Sequence, residues 1–222
     1  MKKIVLIAAA GLLVTANAAM AKSIVGSDHD LTTGDAKSEL CVYCHTPHNA
    51  AIAVPLWNRN NPSATNFKLY NSSTLSSSAK KSALDANSIS LFCMSCHDGQ
   101  TGLGNVVVNR AASNTLRGPI EAIDPLQNTN LGTDLRNTHP IGFNFFEAQS
   151  EDNGLRTDAQ IKARFESGKA PDATAVQEFL YGSNNSMFEC ASCHRVHDPG
   201  TSGNFLRIEN TKSALCLACH NK

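Results

Sequence analysis

The chain has 222 residues, 19 basic and 19 acidic side chains, a formal net charge of zero, and only 6% aromatic residues. A balanced chain with no basic patch and no aromatic stripe interleaved with cations excludes nucleic acid as a partner. Few aromatics and abundant Ser, Thr, Asn and Gly leave a protein-only core thin for this length.

Residues 1–21 read as a secretory signal peptide: a basic start at Lys2 and Lys3, an apolar run from Ile4, and Ala19-Met20-Ala21 ahead of cleavage before Lys22. The apolar run is about 13 residues, against roughly 20 for a bilayer span. No later stretch is apolar enough to cross a membrane, so a secreted product without a membrane span is expected. Removing Lys2 and Lys3 takes the 19 basic residues to 17 against 19 acidic ones, a net of −2.

All eight cysteines fall in four copies of one pattern: "CVYCH" (Cys41, Cys44, His45), "CMSCH" (Cys93, Cys96, His97), "CASCH" (Cys190, Cys193, His194) and "CLACH" (Cys216, Cys219, His220). Four bridges would be the ordinary use of eight exported cysteines, and zinc an ordinary use of paired Cys-x-x-Cys. Neither needs the trailing histidine, whose chance occurrence four times over is on the order of one in a million. Cys-x-x-Cys-His is the attachment pattern of a c-type haem, with both sulfurs bonded to the porphyrin and the histidine ligating iron. Four covalently attached haems c are therefore expected. They would fill the interior, and the chain without them should be largely unfolded.

Between the motifs most of the sequence reads as loop. "NSSTLSSSAKKS" (Asn71 to Ser82) is a surface excursion entering a helix near Ala79, "GNVVVNR" is a candidate short strand, and Asn114 to Pro140 reads as irregular. Thr157 to Gln160 form a capping box for a helix with Ile161 and Phe165 on one face, stopped by Gly168. Asp172 caps a second helix through Tyr181, stopped by Gly182. Both are expected to be packing elements over a haem edge. Three motifs share a serine lead-in, "SELC", "SLFC" and "SALC", which fits a short helix whose last turn carries the site.

The motifs come in two like-ordered halves, each opening on Cys-x-x-Cys-His-x-x-His and ending on a plainer copy, as in a duplicated two-haem unit. The expected division is residues 1–21 as signal, 22–110 as the unit of haems 1 and 2, 111–150 as a connecting loop carrying His139, and 151–222 as the unit of haems 3 and 4, in one cooperative fold. The fold class expected is mostly irregular, with short α-helices, minimal β-structure and a haem-stacked core.

Four histidines lie inside the motifs and four remain: His29, His48, His139 and His197. Four haems have four open axial positions, so the count closes if every iron is bis-histidine. Methionine is the competing ligand; only Met187 could compete, and packing is its expected role. In a helical turn His48 lies roughly 4.5 Å along the axis from His45, too short a link to pass around the porphyrin to the same iron. His48 and, likewise, His197 should serve a neighbouring haem: His48 the second and His197 the fourth, leaving His29 and His139 for the first and third. His139 is followed by a proline that favours extended backbone, with Phe143, Phe145 and Phe146 placed to pack near it.

"GSDHDL", "CVYCHTPHNA", "PLWNR", "LFCMSCHDG", "THPIGF" and "LCLACH" together resemble exported multihaem cytochromes with doubled Cys-x-x-Cys-His units, closest to the tetrahaem, filament-forming outer-surface cytochromes of metal-reducing prokaryotes. The resemblance implies bis-histidine haems stacked in a continuous chain, little secondary structure, all eight histidines as iron ligands, and a histidine of one subunit completing a haem of the next. His29 is the candidate it points to for that last role. The function expected is electron transfer without catalysis of its own, in an extracellular homopolymer that passes electrons to redox partner proteins or extracellular acceptors in anaerobic respiration. The alternatives are a monomeric periplasmic shuttle and a multihaem oxyanion reductase.

Overall fold

A computed structural model describes residues 24–32, 40–52, 55–103, 106–107, 121–167, 176–182, 184–197 and 204–221. The signal-peptide reading, most of "GNVVVNR", residues 114–120, Gly168 and Asp172 lie outside the described residues. The described chain is mostly turns and irregular backbone, with five short α-helices and two two-stranded sheets. Among the described residues no helix is long and apolar enough to cross a membrane.

The helices are α1 (Ile89–His97), α2 (Phe145–Glu151), α3 (Asp158–Ser167), α4 (Cys190–Cys193) and α5 (Ala214–Cys219). Strand β1 (Lys68–Leu69) pairs in parallel with β2 (Asp134–Leu135), and β3 (Phe143–Asn144) pairs antiparallel with β4 (Met187–Phe188). The segment expected to be irregular thus acquires, from Glu121 to Pro140, only the two-residue strand β2. The Ser-rich excursion ends in a 3-10 turn at Ala79–Lys81, whose Ala79 is buried.

The helical positions follow local chemistry. Asn144 caps α2 by accepting from the amides of Phe146 and Glu147. Thr157 N donates to the Gln160 side chain at 3.1 Å, the reciprocal half of the expected capping box, and Ile161 and Phe165 are both buried. They point α3 at α5, the helix carrying the fourth motif. Phe165 stacks on Phe179 with ring centres 4.5 Å apart and planes 10° from parallel.

The expected helix through Tyr181 is replaced, among the described residues, by a 3-10 turn at Val176–Phe179. Tyr181 is extended and exchanges hydrogen bonds of 2.9 and 2.8 Å with Met187. Gly182, at φ +80°, turns the chain back into β4. Phe179 and Leu180 are both buried at the entrance to this hairpin. Met187 packs beneath Gly182 in this turn.

Two apolar clusters hold the molecule. The larger joins Phe143, Phe145, Phe188, Ile161, Phe165, Phe179 and Leu180, with Cys193 and Cys219 at its margin. The smaller joins Phe67, Leu91, Met94, Leu135 and Ile141, with Cys190 at its margin.

Candidate haem centres

The two doubled motifs share one local structure that extends past the histidines. Carrying the alignment of Cys41 with Cys190 forward without a gap pairs Pro55 with Asn204, Leu56 with Phe205, Trp57 with Leu206, Asn58 with Arg207 and Arg59 with Ile208. His45 bridges Trp57, and His194 bridges Leu206. Thr46 N donates to Leu56 O and Arg195 N to Phe205 O, at 2.9 and 2.7 Å. Asn58 N donates to Cys44 O and Arg207 N to Cys193 O, at 2.8 and 2.9 Å. Side chains obey the same register: Asn58 Nδ2 donates to Val42 O at 2.7 Å, and Arg207 Nε to Ala191 O at 2.8 Å. Leu56 and Phe205 both take left-handed backbone, φ +65° and +57°. That strained return strand is the element sequence reading missed; "PLWNR" flagged its first copy, whereas "NFLRI" shares too few side chains to stand out.

The return strand orients the histidine. His45 Nδ1 hydrogen bonds Pro55 O at 2.8 Å, and His194 Nδ1 hydrogen bonds Asn204 O at 2.7 Å. His97 Nδ1 meets Thr129 O at 2.7 Å, and His139 Nδ1 meets Pro140 O at 2.8 Å. A carbonyl accepts only, so each Nδ1 carries the proton and Nε2 keeps its lone pair, the tautomer a metal requires. Burial lowers the pKa of His29, with the charge of His97 adding to the effect, and desolvation lowers that of His139 although part of its ring is exposed. Both therefore stay neutral at neutral pH.

The histidines meet in pairs. His45 and His197 have ring centres 5.8 Å apart, His29 and His97 6.0 Å, and His139 and His220 6.2 Å. Two imidazoles on opposite faces of one iron need about 6 Å, taking about 2 Å for each metal–nitrogen bond and about 1 Å from nitrogen to ring centre. The donor set thus fits a bis-histidine haem at three motifs. Exposed Leu56, Leu131 and Val196 flank these histidines and offer the apolar surface a porphyrin covers.

These pairs correct the expected partners. His197 lies beside the first motif's histidine rather than the fourth's; His29 lies beside the second's and His139 beside the fourth's. The backbone at His194 is extended, φ −110° and ψ 144°, so His197 leaves the helical path on which the expectation rested. His29, expected to act between subunits, faces His97 of its own chain. His48 is exposed, and among the described residues no ring lies against it or against His194. The ring nearest His139 in the apolar cluster is Phe188 at 5.2 Å, which stacks on Phe143; Phe205 lies 4.4 Å from His29. Neither Phe188 nor Phe205 carries a local sequence signal for this.

None of the eight cysteines is joined in a disulfide. Burial pushes Cys44 up to about 12, Cys193 to about 11 and Cys219 to about 12. A hydrogen bond with Cys190, together with burial, raises Cys93. Among the described residues no three His, Cys, Asp or Glu side chains converge to hold a metal ion. The contact between Cys93 and Cys190 brings the second and third motifs together as α1 packs on α4. Ser90 Oγ donates to the buried Glu189 carboxylate and accepts from Cys190 N at 3.0 Å, while Glu189 N donates to Ser192 Oγ at 2.9 Å.

A family model described as a doubled CXXCH motif matches residues 184–222. A search among curated proteins found no match. The family match supports a multihaem c-type cytochrome acting in electron transfer, in keeping with the short helices and sparse sheet.

Proposed function

We propose that this chain is an exported tetrahaem cytochrome that passes single electrons along bis-histidine haems, assembled outside the cell as a homopolymer delivering electrons to an extracellular acceptor in anaerobic respiration. The three histidine pairs near 6 Å carry this reading, because they use the histidines outside the motifs as second axial ligands. Bis-histidine ligation holds potentials low relative to a methionine ligand. Arg59 and its neighbour Asn58 tie the second motif to the first, Cys93 touches Cys190 where α1 packs on α4, and Cys193 and Cys219 border one apolar cluster, which supports an unbroken order of centres from the first motif to the fourth. Short hops matter because tunnelling falls exponentially with separation.

The polymer rests on the histidines left over. His197, from the second half, reaches the first motif of the same chain, and His48 is its equivalent in the first half. Repeating that relation between copies brings His48 to His194 of the next copy. Such a contact is head-to-tail and does not close, which is the symmetry of a fibre.

Electron microscopy of the secreted haem-staining fraction, with mass spectrometry of the chain, tests the reading. Filaments of four-haem subunits are expected, and His48→Ala should give short or single subunits with one high-spin centre. Single subunits with four low-spin haems would favour the periplasmic shuttle. Among the described residues no ring lies against His194, and a reductase would keep the iron held there open on its other side, so carbon monoxide binding to the intact wild-type assembly would favour that enzyme reading.

A further inference from the structure

Positions 59 and 208 are equivalent in the repeat but differ in charge; at the preceding pair the charge is reversed, Asn58 against Arg207 beside the third motif, but Arg207 is only partly buried and its charge is screened by solvent. Arg59 is 0% exposed and Ile208 4% exposed. The Arg59 guanidinium donates to Leu103 O at 2.6 Å, Ser95 O at 3.0 Å and Gly102 O at 2.8 Å, and its buried Nε has no hydrogen-bond partner. Ser95 lies between the cysteines of the second motif, and the neighbouring Asn58 holds Val42 between the cysteines of the first. Arg59 thus sits where these two motifs meet. The hydrogen-bond partners of Arg59 are all backbone carbonyls, so none of them brings a neutralising charge. A buried cation without a counter-ion is costly, and a neutral donor would serve a purely structural clamp.

We propose that Arg59 raises the reduction potentials of the haems at the first and second motifs above those at the third and fourth, making the first half the electron-accepting end of the chain. This rests on the tetrahaem reading. Ferric iron carries one more positive charge than ferrous, so a nearby cation favours the reduced form, the more so at low dielectric. Arg59 reaches Ser95 O between the cysteines of the second motif and adjoins Asn58, which reaches Val42 O between those of the first, so its charge lies close to both motifs.

The experiment uses the full, haem-loaded protein. The mass and low-spin spectrum of the wild type come first, and fewer than four haems there would overturn the tetrahaem reading itself, whatever Arg59 does. In a potentiometric titration Arg59→Gln should move about half of the absorbance change to lower potential and leave the other half in place, at low and high salt alike, because a buried charge is poorly screened. Arg59→Lys should titrate close to the wild type. An unmoved Arg59→Gln with four low-spin haems overturns the proposal, as does an equal fall in Arg59→Lys, which would mark loss of the clamp rather than of the charge. Site-resolved paramagnetic NMR of the wild type tests it without a variant: the Cys93 and Cys41 centres should reduce before those at Cys190 and Cys216, and the opposite order overturns it.

Discussion

His45 and His197 face one another with ring centres 5.8 Å apart, although each belongs to a different Cys-x-x-Cys-His-x-x-His motif. Replacing His197 by Met should raise the potential of the centre at Cys41 and Cys44, because thioether ligation favours ferrous iron. The third motif, next to His197 in the chain, should keep its potential. Site-resolved redox titration checks this, and a change at the Cys216 centre instead would remove the pairing.

Glu189 is buried beside the junction of α1 and α4, and burial raises its pKa from 4.5, against the hydrogen bonds from Ser90. The folded state then holds this proton more tightly than the unfolded state. Its stabilising contribution is full below the ordinary value and is lost as pH rises through the folded value. Glu189→Gln, which still accepts from Ser90, should show a flatter fall in stability between that ordinary value and neutrality, read as denaturant midpoints across pH.

Gly142 has φ +72°, and a Cβ there would lie 2.7 Å from Ala83 O. Its amide donates to Phe188 O and its carbonyl accepts from Ala83 N, so the backbone cannot shift to make room. Gly142→Ala should cost about 1–3 kcal/mol in chemical denaturation and loosen the loop carrying His139. Gly132, at φ +64° with open space around it, should cost only about 1 kcal/mol on the same change.

Asn58 is fully buried, and its amide supplies the Val42 carbonyl with a donor. Asn58→Ala should cost about 1–3 kcal/mol by leaving that carbonyl unpaired. At the equivalent position, Arg207→Ala should cost less, because Arg207 is only partly buried and water can replace its donor to Ala191 O. Denaturant titration of the two variants compares them directly.

Much of the candidate site was legible because it is local. Two cysteines three apart with a histidine behind them need only one turn of backbone, and α1 and α5 supply such turns. The capping at Thr157 and the buried pair Ile161 and Phe165 were legible for the same reason. The hairpin at Tyr181 was not, because pairing with Met187 overrode a local helix signal. The return strands at Leu56 and Phe205 were hidden because their common role is carried by backbone conformation and carbonyls, which different side chains support equally well.

By itself the sequence determined the chemistry: four Cys-x-x-Cys-His sites, four further histidines, and two halves of like order. Tertiary structure alone decided which histidine meets which. His197 faces His45, His29 faces His97 and His139 faces His220. It also decided that a cation is buried between the first two motifs while isoleucine fills the same place in the second half. The physical reason is reach. Attachment joins atoms a few bonds apart along the chain, whereas an axial partner must approach from across a gap about 6 Å wide, and that approach depends on how distant segments pack.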